Sequence, residues 1–208
     1  MAYPTVSAPY GLQPINRFDG MPYAGATQQL PIASTYNTAI YNGDIVLVYQ
    51  GNIVKSAVTT DSTTDKQNNA TYGVFVGVQY VNTQGQTVQA QYYPGNAAAS
   101  SAIAYVVVDD KAAYKVAVTD GSGNVSSTTV KAIGVNLAVD QTNTGSTTTG
   151  DSGEGVTAPT ANAGNLVTLP VKVVGVVPET AVNSTHFREV VVILNNPQLT
   201  RTTGNDFA

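Results

Sequence analysis

The sequence predicts an all-β protein: a compact β-barrel or β-sandwich with an extended Pro/Tyr-rich N-terminal arm and little helix. Three observations predict it. Valine-rich stretches of strand length recur, as in GDIVLVYQGNIVKSAV (43–58), YGVFVGVQYV (72–81) and NLVTLPVKVVGVV (165–177). No segment keeps a helical apolar period over three turns. The 208 residues also hold one histidine, no cysteine and no tryptophan, and only 11% are charged, so little is present to do chemistry with.

Residues 1–42 differ from the rest of the chain. Pro4, Pro9, Pro14, Pro22 and Pro31, half of the ten prolines, fall here. Proline fixes φ and removes a ladder donor, so this segment is no helix and no central strand. It is also too rich in Tyr10, Leu12, Ile15, Phe18 and Tyr23 for a solvated tail, because disordered chains lack such residues. The expectation is an arm lying on a surface, its own or a neighbour's. The five apolar and aromatic residues just named are the candidate subunit or partner interface, since tyrosine joins apolar area to a polar tip.

The β-domain is expected over 43–197. NGD (42–44) and QGN (50–52) flank IVLVY and predict a hairpin with NIVKSAV. TTDSTTDKQNNA (59–70) is polar and reads as a loop. In YGVFVGVQYV, Gly73 and Gly77 mark a bulge or a close backbone approach. NTQGQ (82–86) turns that strand into TVQAQYY, a second hairpin, and AIAYVVVDD with AYKVAV forms another pair around Asp109, Asp110 and Lys111. DGSGN (120–124) is a turn, VKAIGVNLAVD a strand with Gly134 as a bulge, and 141–155 a flexible Gly/Ser/Thr loop. NLVTLPVKVVGVVPET and FREVVVILNNP form the last pair, and 198–208 is a short C-terminal tail.

Composition narrows the function. The formal net charge is −4 and the nine Lys and Arg residues form no run, which argues against nucleic acid as a partner. A mean hydropathy of −0.02 and strand-length apolar runs argue against a membrane span. The first residues show no basic segment followed by an apolar one, so no secretory signal is read there. Without cysteine, stability comes from packing, pairing or association rather than disulfides.

Each chemical motif has a plainer explanation. His186 is the lone imidazole; on an extended segment it shares a face with Ser184 and Arg188, away from Glu189, and a turn residue is the better reading. A single histidine does not make the clustered ligation usual for zinc. Asp109 and Asp110 are consecutive and point apart on a strand. Asp120, Ser122 and Asn124 begin like a calcium loop, but Val125 and Lys131 stand where that loop needs Gly and Glu. Three N-x-S/T triplets, at Asn69, Asn124 and Asn183, carry little weight in so Asn-, Ser- and Thr-rich a chain. The expectation is a non-enzymatic protein with no metal and no cofactor.

The stretches APYGLQPINRFDGMPYAGATQQLPIAS, YNGDIV, YGVFVGVQY, QYYPG and AYVVVDD together resemble the capsid (head) decoration or cement proteins of tailed phages infecting aquatic bacteria. The resemblance runs from about Ala8 to Val118 and leaves the C-terminal half unmatched. It implies a homotrimer on the capsid exterior of the virion, bound over junctions between capsomers of the major capsid protein. Alternatives are another virion component, such as a tail-tube or fibre protein, or a carbohydrate-binding β-domain using Tyr92 and Tyr93.

Overall fold

A computed structural model describes residues 6–59, 70–96, 99–129, 133–157, 168–195 and 197–198. Among them there is no α-helix. Most of the predicted 59–70 loop and of the 198–208 tail lies outside the described residues.

The fold is all-β, with a closed five-stranded barrel at its centre. Strand β10 (Ala112–Thr119) is the stave on which it closes. One edge of β10 pairs antiparallel with β17 (Glu189–Leu194). Its other edge carries β1 (Gln13–Arg17) over its first half and β13 (Gly155–Thr157), in parallel, over its last residues. The circuit is completed through β12 (Asn136–Asp140) and β14 (Val171–Val176), which returns to β17. Side chains alternate along a strand, so every second residue enters the barrel. Ala112, Tyr114, Val116 and Val118 of β10 therefore meet Val190, Val192 and Leu194 of β17 and Val171 and Val173 of β14 in one core.

A second sheet runs in the order β2 (Gln28–Pro31), β9 (Ala99–Val107), β6 (Gly73–Asn82), β4 (Ile45–Tyr49) and β5 (Asn52–Lys55), with β7 (Thr87–Ala90) also pairing β6. Its strands read in both directions. Ile45, Val74 and Val107 contribute to the barrel core, whereas their neighbours Val46, Phe75 and Val106 contribute to a second core with Ile32, Ile53 and Tyr93. This explains why IVLVY and GVFVG are nearly continuous apolar runs: both faces of the wall are buried. Two small sheets complete the set. One pairs β3 (Ile40–Tyr41) with β8 (Tyr92–Tyr93), and the other orders β11 (Thr128–Thr129), β16 (His186–Phe187) and β15 (Ala181–Asn183).

The hairpins over 45–55 and 73–90 form where turn residues predict them. Gln50 and Gly51 both take positive φ at the first turn, the conformation of a tight two-residue hairpin. Of the two glycines in β6, Gly77 adjoins a register shift, and a Cβ on Gly73 would lie 2.3 Å from the Val107 carbonyl oxygen. The N-terminal strands respect their prolines: β1 and β2 each terminate a sheet.

Two expectations are corrected. Strands β9 and β10 are consecutive but do not pair; the chain crosses at Asp109–Lys111 from the second sheet into the barrel. Gly134 lies in the turn before β12, with φ of +86°, and is not a bulge within it. At Asp109–Lys111 the turn is read correctly, but turn residues do not record which sheet the next strand joins; at Gly134 a turn glycine reads in the sequence as a strand bulge.

Overpacking at Gly73 is the direct test of the close approach. Gly73→Ala is expected to lower unfolding free energy by about 1–3 kcal/mol in chemical denaturation, because the wall must shift to admit the methyl.

Candidate functional site

Strand β1 shows how the N-terminal segment presents its side chains. Its register with β10 shifts between Pro14 and Asn16, leaving Ile15 unpaired and 41% exposed. The chain then turns tightly, with the Arg17 N–H donating to the Met21 carbonyl at 3.2 Å and the Phe18 N–H to the Lys111 carbonyl at 3.0 Å. The turn leaves Phe18 53% and Met21 60% exposed, the largest exposures among the described large hydrophobic residues.

Ion pairs fix that turn to the β9–β10 crossing. Arg17 reaches Asp109 at 2.6 Å and Asp19 at 3.0 Å, and Lys111 lies 3.9 Å from Asp19. The Asp19 carboxylate is held below its usual range, chiefly by its hydrogen bond from Arg17. Pairs at or near the surface contribute little stability, so the effect of these is to orient the loop.

The other sequence-predicted residues lie elsewhere. Leu12 is fully buried in the barrel core and presents nothing to a partner. Tyr23 is half-buried against the same core, and its hydroxyl donates to the Ala26 carbonyl at 3.2 Å. Tyr10 donates its phenol to Glu189, while the Lys115 ammonium lies 3.5 Å from the same carboxylate oxygen and 5.4 Å from the Tyr10 ring centroid. Burial, and then the Glu189 hydrogen bond and charge, push the Tyr10 phenol well above its ordinary range. Only Ile15 and Phe18 of the five are exposed, and they share their stretch with Met21, which the sequence reading missed.

Other expected features are internally satisfied. Asp120 accepts from the Ser122 and Asn124 backbones and from the Asn124 side chain, which closes its turn. Among the described residues no group of three His, Cys, Asp or Glu is placed to hold a metal. Tyr93 is buried, and Tyr92 stacks on Tyr41 with centroids 5.6 Å apart, so the pair forms no open aromatic platform. His186 is bonded to its own turn through Asn183 and Thr185.

The densest polar cluster comes from the segment expected to be a flexible loop. Residues 141–155 contain Ser152 and Glu154, both buried, with Glu154 fully so. The Glu154 carboxylate accepts from Gln141 at 2.7 Å and from the Ile45 N–H at 3.1 Å, and the Lys55 ammonium lies 3.4 Å away. Lys55 also donates to Asp44 at 2.9 Å. Asp44 further accepts from the Tyr41 N–H at 2.8 Å and the Ser152 hydroxyl at 2.5 Å. The N-terminal segment crosses this knot, with the Gly11 N–H on the Glu154 carbonyl and the Leu12 N–H on the Gly43 carbonyl, each at 2.9 Å. Gly11 and Gly43 permit the crossing: a Cβ on either would meet the other's backbone at about 3 Å, and both have positive φ.

Burial pushes the Glu154 carboxyl up to about 8, with the Asp44 charge adding to the rise and Lys55 opposing it. Burial disfavours the Lys55 ammonium too, but Glu154 and Asp44 outweigh that and raise its pKa. An acid whose pKa is raised on folding binds its proton more tightly in the native state. Stability from Glu154 is therefore present at low pH and is lost as pH rises from its unfolded value toward about 8. Unfolding of the wild-type protein is expected to become easier over that window, by at most about tenfold per pH unit for one proton. In Glu154→Gln that part of the slope disappears from denaturation curves recorded between acid and mildly alkaline pH.

Compared with family models, with curated proteins and with solved structures, the chain matches none significantly.

Proposed function

We propose that this protein is a non-enzymatic virion component: a trimeric capsid decoration protein that binds the major capsid protein on the capsid exterior and ties neighbouring capsomers together. The observation that carries the reading is the solvent-facing apolar turn of Ile15, Phe18 and Met21, held by ion pairs to the β9–β10 crossing of an all-β body. That turn belongs to the stretch whose sequence resembles the cement proteins. A rigid turn suits adhesion, because little conformational entropy is lost when its side chains are buried.

The mechanism is additive contact. Burying one side chain the size of Phe18 contributes about 1.5–3 kcal/mol before ordering costs. Three copies held in one trimer convert the second and third engagements into intramolecular ones, so modest contacts give firm attachment.

The triple variant Ile15→Ser, Phe18→Ser, Met21→Ser tests the reading on undecorated capsids of the encoding phage. Its melting is expected to match wild type, and its occupancy on particles to fall at least about tenfold, the effect of losing about 1.4 kcal/mol. Native mass spectrometry of the wild-type protein, free or released from particles, is expected to report a trimer. Unchanged occupancy of the triple variant overturns the role of the turn, and particles that never bind the wild-type protein overturn the function.

A further inference from the structure

The cluster of Lys55, Asp44 and Glu154 has the parts of a self-modifying site. We propose that Lys55 and Asp44 join through a spontaneous intramolecular isopeptide bond, Nζ to Cγ, with Glu154 as the proton carrier. This inference is independent of the capsid reading.

The fold brings the reacting atoms together. The Lys55 Nζ atom is 2.9 Å from Asp44 Oδ2, the two groups being held by the paired β4 and β5 strands and the residues just before them. A short approach fixed by a hairpin makes the reaction unimolecular, which removes most of the entropic barrier to amide formation. Both carboxylates are fully buried, while the lysine side chain is 21% exposed. Burial of the two carboxylates disfavours their charge and so narrows the preference of the ammonium–carboxylate pair over its neutral amine–acid form.

The donors around Asp44 are arranged for attack at its carbonyl carbon. The Ser152 hydroxyl holds Oδ1, and the Tyr41 N–H holds Oδ2 beside the lysine. Donors fixed in place stabilise the negative charge that develops on a carboxyl oxygen as the carbon becomes tetrahedral. Glu154 Oε1 lies 3.4 Å from the same Nζ, within reach for proton exchange as the structure tightens around the transition state.

The step balances without a co-reactant. A proton passes from the Lys55 ammonium to Asp44 Oδ2, leaving a neutral amine and a neutral acid. Because the proton moves within the pair, the affinity of Lys55 for a solvent proton does not block the step. The Nζ lone pair then forms the bond to Cγ. Glu154, entering in its protonated form, gives its proton to Oδ2 and takes one back from Nζ, and the Cγ–Oδ2 bond breaks to release water. Oδ1 stays as the amide oxygen under the Ser152 hydroxyl, and Glu154 ends as it began. Water leaves through an open pocket of about 550 Å³ lined by Tyr36, Thr38, Tyr49, Lys55, Ser56 and Gln141.

Intact mass spectrometry of the denatured full chain decides the matter, with the N-terminal residue set by peptide mapping. The wild-type protein is expected to be one water lighter than its sequence, and tryptic digestion to leave Lys55 uncut in a single peptide, residues 18–66, that is one water light and looped between Asp44 and Lys55. Lys55→Arg and Glu154→Gln are expected to keep the full mass, with circular dichroism reporting their fold. Asp44→Asn gives a second route, because loss of ammonia yields the same amide and the same final mass as wild type. A wild-type mass equal to the sequence, or a missing water mapped to other residues, overturns the bond. A folded Glu154→Gln that loses water as completely as wild type overturns the role of Glu154.

Discussion

The lysine at the end of β5 is the point on which two distant parts of the chain converge. Lys55 closes the first hairpin, Asp44 precedes it, and Glu154 arrives from 99 residues beyond Lys55. Two buried carboxylates repel each other, and a single ammonium between them makes their approach tolerable. Removing one partner leaves an uncompensated buried charge, so the knot resists change far more than its modest net energy implies. The N-terminal crossing at Gly11 and Leu12 rests on the same atoms, since Gly11 is bonded to the Glu154 backbone. Position of the exposed turn and integrity of the knot are thus linked through one short length of backbone.

Polar satisfaction recurs next to this knot, where Asp140 pairs with Gly155, by a different device. Asp140 is buried beside Thr119 and accepts from that hydroxyl at 2.6 Å, from both donors of Thr142 and from the Gly123 N–H at 3.0 Å. Burial pushes its pKa up, but these donors prevail and hold it low. A carboxylate ringed by neutral donors stays ionised, whereas Glu154, fully buried and facing another carboxylate, leans toward its protonated form. Tyr114 is the exception: its hydroxyl is buried in the barrel with no partner among the described residues.

The valine-rich strands were legible because alternation and turn residues are local signals. The hairpin at Gln50 and Gly51 and the bulge beside Gly77 follow from a few neighbouring residues. Membership of a sheet is not local, which is why β9 and β10 read as partners and are not. Glu154 was hidden for a related reason. Glycine and serine on either side suggest mobility, yet here they serve proximity: a Cβ on Gly153 would lie 2.7 Å from the Asn143 carbonyl oxygen. Small residues that let backbones touch and small residues that let them move have the same composition. Of the five predicted interface residues, Leu12 shows the limit of counting apolar side chains, since an edge strand has an inner face as well as an outer one.

The crossing between β9 and β10 sets the order in which a nascent chain acquires its partners. Gln13 waits for Lys115, Gln28 for Val106, and the barrel closes only when β17 meets β10. Pairings so remote along the chain make folding slow, because loops close before contacts reward them. On the ribosome, the prolines of the first thirty residues keep those edges from pairing with one another while they wait. The exposed turn of Ile15, Phe18 and Met21 is therefore made before the strand β10 that mounts it, so a growing chain carries this apolar surface before it has a shape to hold it.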